Sequence, residues 1–287
     1  MTRIARTLAA SAITALAMLT TGALPATAKS TTAITTGNDI SWPQCGGSFP
    51  VGQAFGIVGV NDGLANTLNP CLGEDNGGSL STSELSWAWQ STGKSAPGVA
   101  PKAALYVNTA DPGQVVPVVA DWPKSNTDPN GQVITDPYGQ CNGSDSPACA
   151  WQYGWNRAVQ DVTWLSGAAT QVGVASAASA YRWWLDVETG NSWETGSGGL
   201  VNNVADLQGM VAAFEAVSAT VGIYSTSSQW NQITGSSRAG NLNQLPDWIP
   251  GARTLSGAPS NCSVAGFTGT VMVTQWFGHP YDGDYAC

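Results

Sequence analysis

Short unbroken apolar runs along this chain alternate with stretches whose apolar residues recur every three to four positions. Residues 55–60 and 103–107 are continuous apolar runs, the pattern of strands buried on both faces. Between them, residues 83–90 predict a short helix N-capped near Ser81 or Ser83. Apolar positions 151, 155, 158, 162 and 165 repeat near 3.6 and predict a helix over about 151–167. An apolar strand then runs from Trp183 to two carboxylates, Asp186 and Glu188. Val204, Leu207, Val211, Phe214 and Val217 form one stripe of a second helix, over about 201–220. A strand at 221–224, a short helix at 227–233 and short strands near 247–249 and 270–276 complete the series. Strand–helix alternation on this scale predicts a mostly parallel sheet, open or closed into a barrel. No internal repeat and no linker calls for a second domain.

The N-terminus changes the picture of where the chain works. Arg3 and Arg6 precede an apolar stretch from about Leu8 to Leu24, and Ala26-Thr27-Ala28 supplies a small-residue cleavage site. This reads as an export signal over residues 1–28. A polar arm at 29–37 follows, then one domain over 38–287. No later run is long enough to span a bilayer, so no membrane contact is expected after cleavage. Loss of Arg3 and Arg6 leaves 8 basic residues against 19 acidic ones, a net charge of −11. Such a chain has no electrostatic case for nucleic acid. A monomer is expected.

Six cysteines, Cys45, Cys71, Cys141, Cys149, Cys262 and Cys287, suit disulfides in an exported protein. They allow 15 connectivities, and nearest-neighbour pairing is the expectation. With one histidine and no C-x-x-C pair, no metal site is expected. Residues 121–149 read as a long loop rich in Pro, Gly, Asn and Asp. Within it, Asn126, Asp128, Asn130 and Gly131 imitate the start of a calcium loop, but its first position is not Asp and its twelfth is Pro137.

The acids carry the chemistry. Residues i and i+2 of a strand share a face, with Cα atoms roughly 7 Å apart. Asp186 and Glu188 therefore project together, and two carboxyls so close cannot both ionise freely. An acid pair of this kind is how a general acid stays protonated near neutrality. By itself such a pair also suits a strand that simply exits into solvent. Asp39 sits early, in what reads as a Gly-flanked turn, and Asp282 and Asp284 stand near the C-terminus.

The order of these landmarks resembles glycoside hydrolase family 25, the secreted lysozymes or N-acetylmuramidases. The matching pieces are Asp39-Ile40-Ser41, Asp186-Val187-Glu188, Gly222-Ile223-Tyr224, Asp247-Trp248-Ile249, Gln275-Trp276 and Asp282-Gly283-Asp284. The resemblance implies an α/β single domain, a (β/α) TIM-like barrel, complete or incomplete. It also implies a four-acid site at the C-terminal rim of that barrel. Glu188 would be the general acid, and Asp186 would orient or stabilise the substrate's N-acetyl group or the intermediate. Asp39 and Asp282 would tune the pair and hold the sugar. Tyr224, Trp276, Asp284 and Asp62 are the candidate substrate-binding residues. The implied partner is a peptidoglycan-type polysaccharide, cleaved with retention and without a cofactor.

Several positions depart from the family pattern: Tyr106-Val107-Asn108, Trp248-Ile249-Pro250, Asn61-Asp62-Gly63 and the 121–149 loop. They mark a divergent branch and leave open a rival reading, a non-catalytic or weakly active glycan- or wall-binding relative. A chitinase-type motif would need acids at Tyr181 and Trp184. A Ser-His-Asp hydrolase would need His279 and a nucleophile elbow that the sequence lacks.

Overall fold

The computed structural model describes residues 36–73, 83–93, 101–115 and 121–287. The export signal expected at 1–28 and most of the polar arm lie outside these residues. Eight strands form a closed barrel in chain order: β1 (Thr36–Ile40), β2 (Phe55–Gly59), β3 (Ala103–Asn108), β4 (Arg182–Asp186), β5 (Thr220–Tyr224), β6 (Asp247–Ala252), β7 (Val271–Trp276) and β8 (Gly283–Ala286). Strands β1 to β7 run parallel. The last strand closes the ring antiparallel to both β7 and β1. Five α-helices accompany the strands among the described residues: α1 (Glu84–Trp89), α2 (Pro147–Val172), α3 (Gly196–Ala216), α4 (Ser227–Thr234) and α5 (Ala258–Asn261). The barrel expected from the sequence is therefore complete in strands, with an unequal helical coat.

Strand parity explains the continuous apolar runs. In β4, Trp184 packs inside the barrel with Phe55, Ile57, Ala104 and Trp248. Trp183, Leu185 and the following Val187 face outward, into the layer between barrel and helices. Both faces are buried, so hydrophobicity does not alternate. Gly222, paired with Trp184, is glycine for a packing reason. A Cβ there would collide with the Trp184 ring.

The two long helices cross at similar contact points. A Cβ on Gly154 of α2 would strike the carbonyl of Asp206, and one on Gly209 of α3 would strike the carbonyl of Trp151. Glycine at both places lets the backbones touch.

Helix ends differ from the periodic stretches. Helix α2 begins four residues before Trp151, because Ser146 accepts from the Cys149 N–H at 3.4 Å and Pro147 occupies the first turn. It ends at Gly173, whose φ of 71° is left-handed. Helix α3 is shifted toward the N-terminus, so Val217 falls beyond it and is 43 % exposed. Helix α1 is capped by Ser83, which accepts from the Ser86 N–H at 3.1 Å. Asp39, expected in a turn, lies within β1, and the expected arm gives way to that strand at Thr36.

The disulfides are Cys45–Cys71, Cys141–Cys149 and Cys262–Cys287, the nearest-neighbour set. The 121–149 segment is held by its own polar side chains. Asp128 Oδ1 accepts from the N–H groups of Asn130 at 2.9 Å and Gln132 at 2.8 Å, a turn-forming role. Among the described residues, no helix is long and apolar enough to cross a membrane. Nor does any group of three or more His, Cys, Asp or Glu among them form a metal-binding cluster.

Candidate active site

Parallel strands deliver their C-terminal ends to one rim of the barrel. Register places Asn108, Asp186 and Tyr224 side by side at the ends of β3, β4 and β5, with Trp248 next along on β6. At this rim lies a hollow of about 200 Å³ lined by Asp39, Tyr106, Asp186, Glu188, Tyr224, Trp248, Gln275 and Asp282. Four acids separated by up to 243 positions in sequence thus face one space.

Each acid is held differently. Asp186, the last residue of β4, is buried, and its Oδ1 has no hydrogen-bond partner. The Asn108 amide, turned with its nitrogen toward the acid, donates to Asp186 Oδ2 at 3.0 Å. Burial, then the neighbouring charge of Glu188, then that of Asp39, hold the Asp186 carboxyl well above the usual carboxylate range. Glu188 lies just past the strand end and is half-buried. Its Oε1 accepts from Gln229 Nε2 at 3.4 Å, and its carbonyl accepts from the Trp193 indole at 2.8 Å. Asp186 is therefore the buried member of the pair, and Glu188 the one that opens toward the mouth of the hollow.

Asp39 Oδ2 accepts from Gln275 Nε2 at 3.0 Å, and Gln275 Oε1 accepts from the Tyr224 hydroxyl at 2.9 Å. Burial pushes Asp39 up to about 6, against the Gln275 hydrogen bond and with added repulsion from Asp282. Asp282 stands just before β8, its Oδ1 accepting from the Gly278 N–H at 3.1 Å. Its carbonyl accepts from Asn38 Nδ2 at 2.9 Å, which ties it to β1.

Asp284, Asp62 and Trp276 do not line the hollow. Asp284 is fully buried on β8, and neither of its oxygens accepts a hydrogen bond. Burial, followed by the Asp39 charge, holds its carboxyl well above the usual carboxylate range. Asp284 thus lies inside the barrel wall, behind the hollow and not in its lining. Asp62 Oδ1 accepts from the Leu64 N–H at 3.3 Å in an exposed turn. Trp276 follows Gln275, and strand alternation turns it to the opposite face, where its ring covers Gly283.

Residues 169–249 match the family model described as Lysozyme-like protein 1. This segment is lysozyme-like. The lysozyme-like segment contains β4, both members of the acid pair, α3, β5 and α4, and ends in β6. No curated protein matches the chain. Among solved structures, the chain is similar to a family GH25 lysozyme from Aspergillus fumigatus at 14 % identity, covering 88 % of this chain and 93 % of that one, with a TM-score of 0.48. It is also similar to a bacterial lysozyme from Streptomyces coelicolor at 15 % identity, over 89 % and 93 %, TM-score 0.47. A muramidase from Acremonium alcalophilum matches at 15 % identity, over 88 % and 93 %, TM-score 0.47.

Four residues at the rim were not singled out as site residues from the sequence: Tyr106, Trp248, Gln275 and Asn108. All stand at or near strand ends, and in each case the signal was parity. Tyr106 and Trp248 share the inward face with Trp184, as does Asn108 with Asp186. Gln229, on α4, could not be found from the strand pattern, because only the packing of α4 on the rim brings it to Glu188.

Proposed function

We propose that this protein is a secreted glycoside hydrolase that cleaves a peptidoglycan-type amino-sugar glycan by carboxylate acid–base catalysis. The observation that supports this most is the hollow itself, where Asp39, Asp186, Glu188 and Asp282 face Tyr106, Tyr224 and Trp248. Sugar rings present apolar C–H faces to aromatic side chains and hydroxyls to acids, and this lining offers both. Cys45–Cys71, Cys141–Cys149 and Cys262–Cys287 suit an oxidising compartment.

In this reading Glu188, at the mouth, reaches the glycosidic oxygen and protonates it as the bond to the leaving sugar breaks. Asp186, deeper and adjacent, faces the acetamido group and the anomeric carbon. The proton of the pair passes through Glu188 to the leaving oxygen, which leaves Asp186 ionised against the positive charge developing on the ring; water then adds to the anomeric carbon and its proton returns to Glu188. Gln229 holds Glu188 in place through its Oε1, and Asn108 holds Asp186 through its Oδ2. Asp39, fixed by Gln275, and Asp282 hold the sugar hydroxyls.

The test is Glu188→Gln assayed on purified peptidoglycan, with products read by mass spectrometry. Lysis should be abolished while the melting temperature stays within about 2 °C of wild type, since the half-buried side chain makes one long hydrogen bond. Retained lysis removes Glu188 as the acid. Saccharide binding with no product from the wild type would favour the glycan-binding reading instead.

A further inference from the structure

A second, larger hollow of about 370 Å³ is lined by the segment that follows Glu188. It lies between the segment that follows β4, the start of α3 and the end of α4, and includes Thr189, Asn191, Trp193, Leu200, Gln232 and Ile233. No residue lines both hollows, but consecutive residues line one and the other, Glu188 the first and Thr189 the second. Thr189 follows Glu188 directly, and its N–H and Oγ1 both donate to Gln229 Oε1, at 2.7 and 3.0 Å. The other end of that same amide donates to Glu188. Trp193, also in the lining, donates its indole N–H to the Glu188 carbonyl.

The lining is polar yet uncharged. Leu200 and Ile233 give an apolar floor, with the Trp193 indole beside it. Thr189, Asn191 and Gln232 supply hydroxyl and amide groups, and Asn191 Nδ2 has no hydrogen-bond partner within the protein. No Lys, Arg or His lines the hollow. Its single acid, Glu194, is buried and takes a hydrogen bond from Asn202 at 3.0 Å. Burial, with Asp111 and Asp145 nearby, pushes Glu194 up to about 8, so it is neutral at pH 7. A carboxylate or ammonium group placed here would lose water and meet no opposite charge. A neutral ring with one apolar face, hydroxyls and an acetamido group would find a partner for each part.

We propose that this hollow is a further saccharide subsite, taking one N-acetylhexosamine unit of the same glycan chain that is held at Glu188. The assignment rests on the glycosidase reading above and extends it. The Thr189–Gln229–Glu188 hydrogen bonds make the subsite a positioning device, because a sugar packed against Thr189 fixes Gln229 and through it the Glu188 carboxyl.

The experiment compares peptide-free glycan oligosaccharides of two to six sugars, for binding by calorimetry and for kcat/KM. Leu200→Trp fills the floor of the hollow, and Asn191→Ala removes the unpaired amide and guards against misfolding of the first variant. In the wild type, one added sugar should raise kcat/KM at least tenfold at one step of the series. In Leu200→Trp the ratio of long- to short-substrate kcat/KM should fall at least tenfold, and in Asn191→Ala severalfold. An unchanged ratio in both folded variants overturns the subsite while leaving the hydrolase intact. A greater gain for oligosaccharides that keep their stem peptides also overturns it, in favour of a peptide pocket. A wild type that neither binds nor cleaves any oligosaccharide overturns the glycosidase reading itself, and the subsite with it.

Discussion

Asp39 offers a direct measure of how much the clustered acids cost the fold. Its carboxyl moves from an ordinary 3.8 to about 6 on folding, chiefly through burial. The folded protein therefore holds this proton across a window in which the unfolded chain has released it. Stability falls wherever the folded state binds more protons than the unfolded one, so it falls as pH rises from about 4 to about 6. At about 1.4 kcal/mol for each tenfold change in proton affinity, the loss reaches about 3 kcal/mol. Because Asp39 opens onto a hollow that water enters, this is a ceiling. Asp39→Asn removes the titration, and the new amide can still accept from Gln275. The measurement is urea unfolding of both proteins at intervals from pH 4 to pH 8. The stability difference should grow in the variant's favour by 1–3 kcal/mol, with its steepest change near pH 5. Peptidoglycan lysis by the variant should fall at least tenfold over the same range. Parallel stability curves would refute the buried-acid account of Asp39, and undiminished lysis would refute its place in the site.

Further outcomes can be checked with the same methods. Glu84 is fully buried, accepts from Asn69 at 2.7 Å and is pushed up to about 7 by burial; Glu84→Gln should flatten the stability loss that wild type suffers between about pH 4.5 and 7, read by unfolding. Gly209→Ala should lower stability by about 1–3 kcal/mol by forcing α2 and α3 apart. Gly167→Ala, in α2 where a Cβ meets nothing within 4 Å, should raise stability by about 0.5–1 kcal/mol. The pH–rate profile for lysis should be highest on the acidic side and fall as the proton shared by Asp186 and Glu188 leaves; a flat profile from mildly acid to mildly alkaline pH would count against the pair. Lysis should survive chelators, and inactivation by a chelator would redirect attention to the Asp128 turn.

What the chain reveals of itself depends on how each feature is encoded. The central strands are legible because β2 to β5 are apolar on both faces, and a run such as Trp183–Leu185 has few other uses. The acid pair is legible for the same reason, since an apolar strand ending in Asp186 sets that carboxyl at the rim whatever the remaining fold. The closing strands are not. Strand β1 reads Thr-Gly-Asn-Asp-Ile and β8 reads Gly-Asp-Tyr-Ala, both short and polar, with a composition that suits turns. They form strands because each is held from two sides by ladders to its neighbours, and no local pattern records that. The same gap explains Asp284. Its neighbour Asp282 reaches the hollow, whereas Asp284 pairs with Gly37 and Gln275 inside the wall. Which of two acids two residues apart faces the hollow is set by where β8 begins, and β8 begins at Gly283. Asp282 therefore stands outside the ladder, free to turn toward the rim, while Asp284 is locked within it. Moving that boundary by two residues would bury the acid now at the rim, so the antiparallel closure of the barrel is itself part of the candidate site.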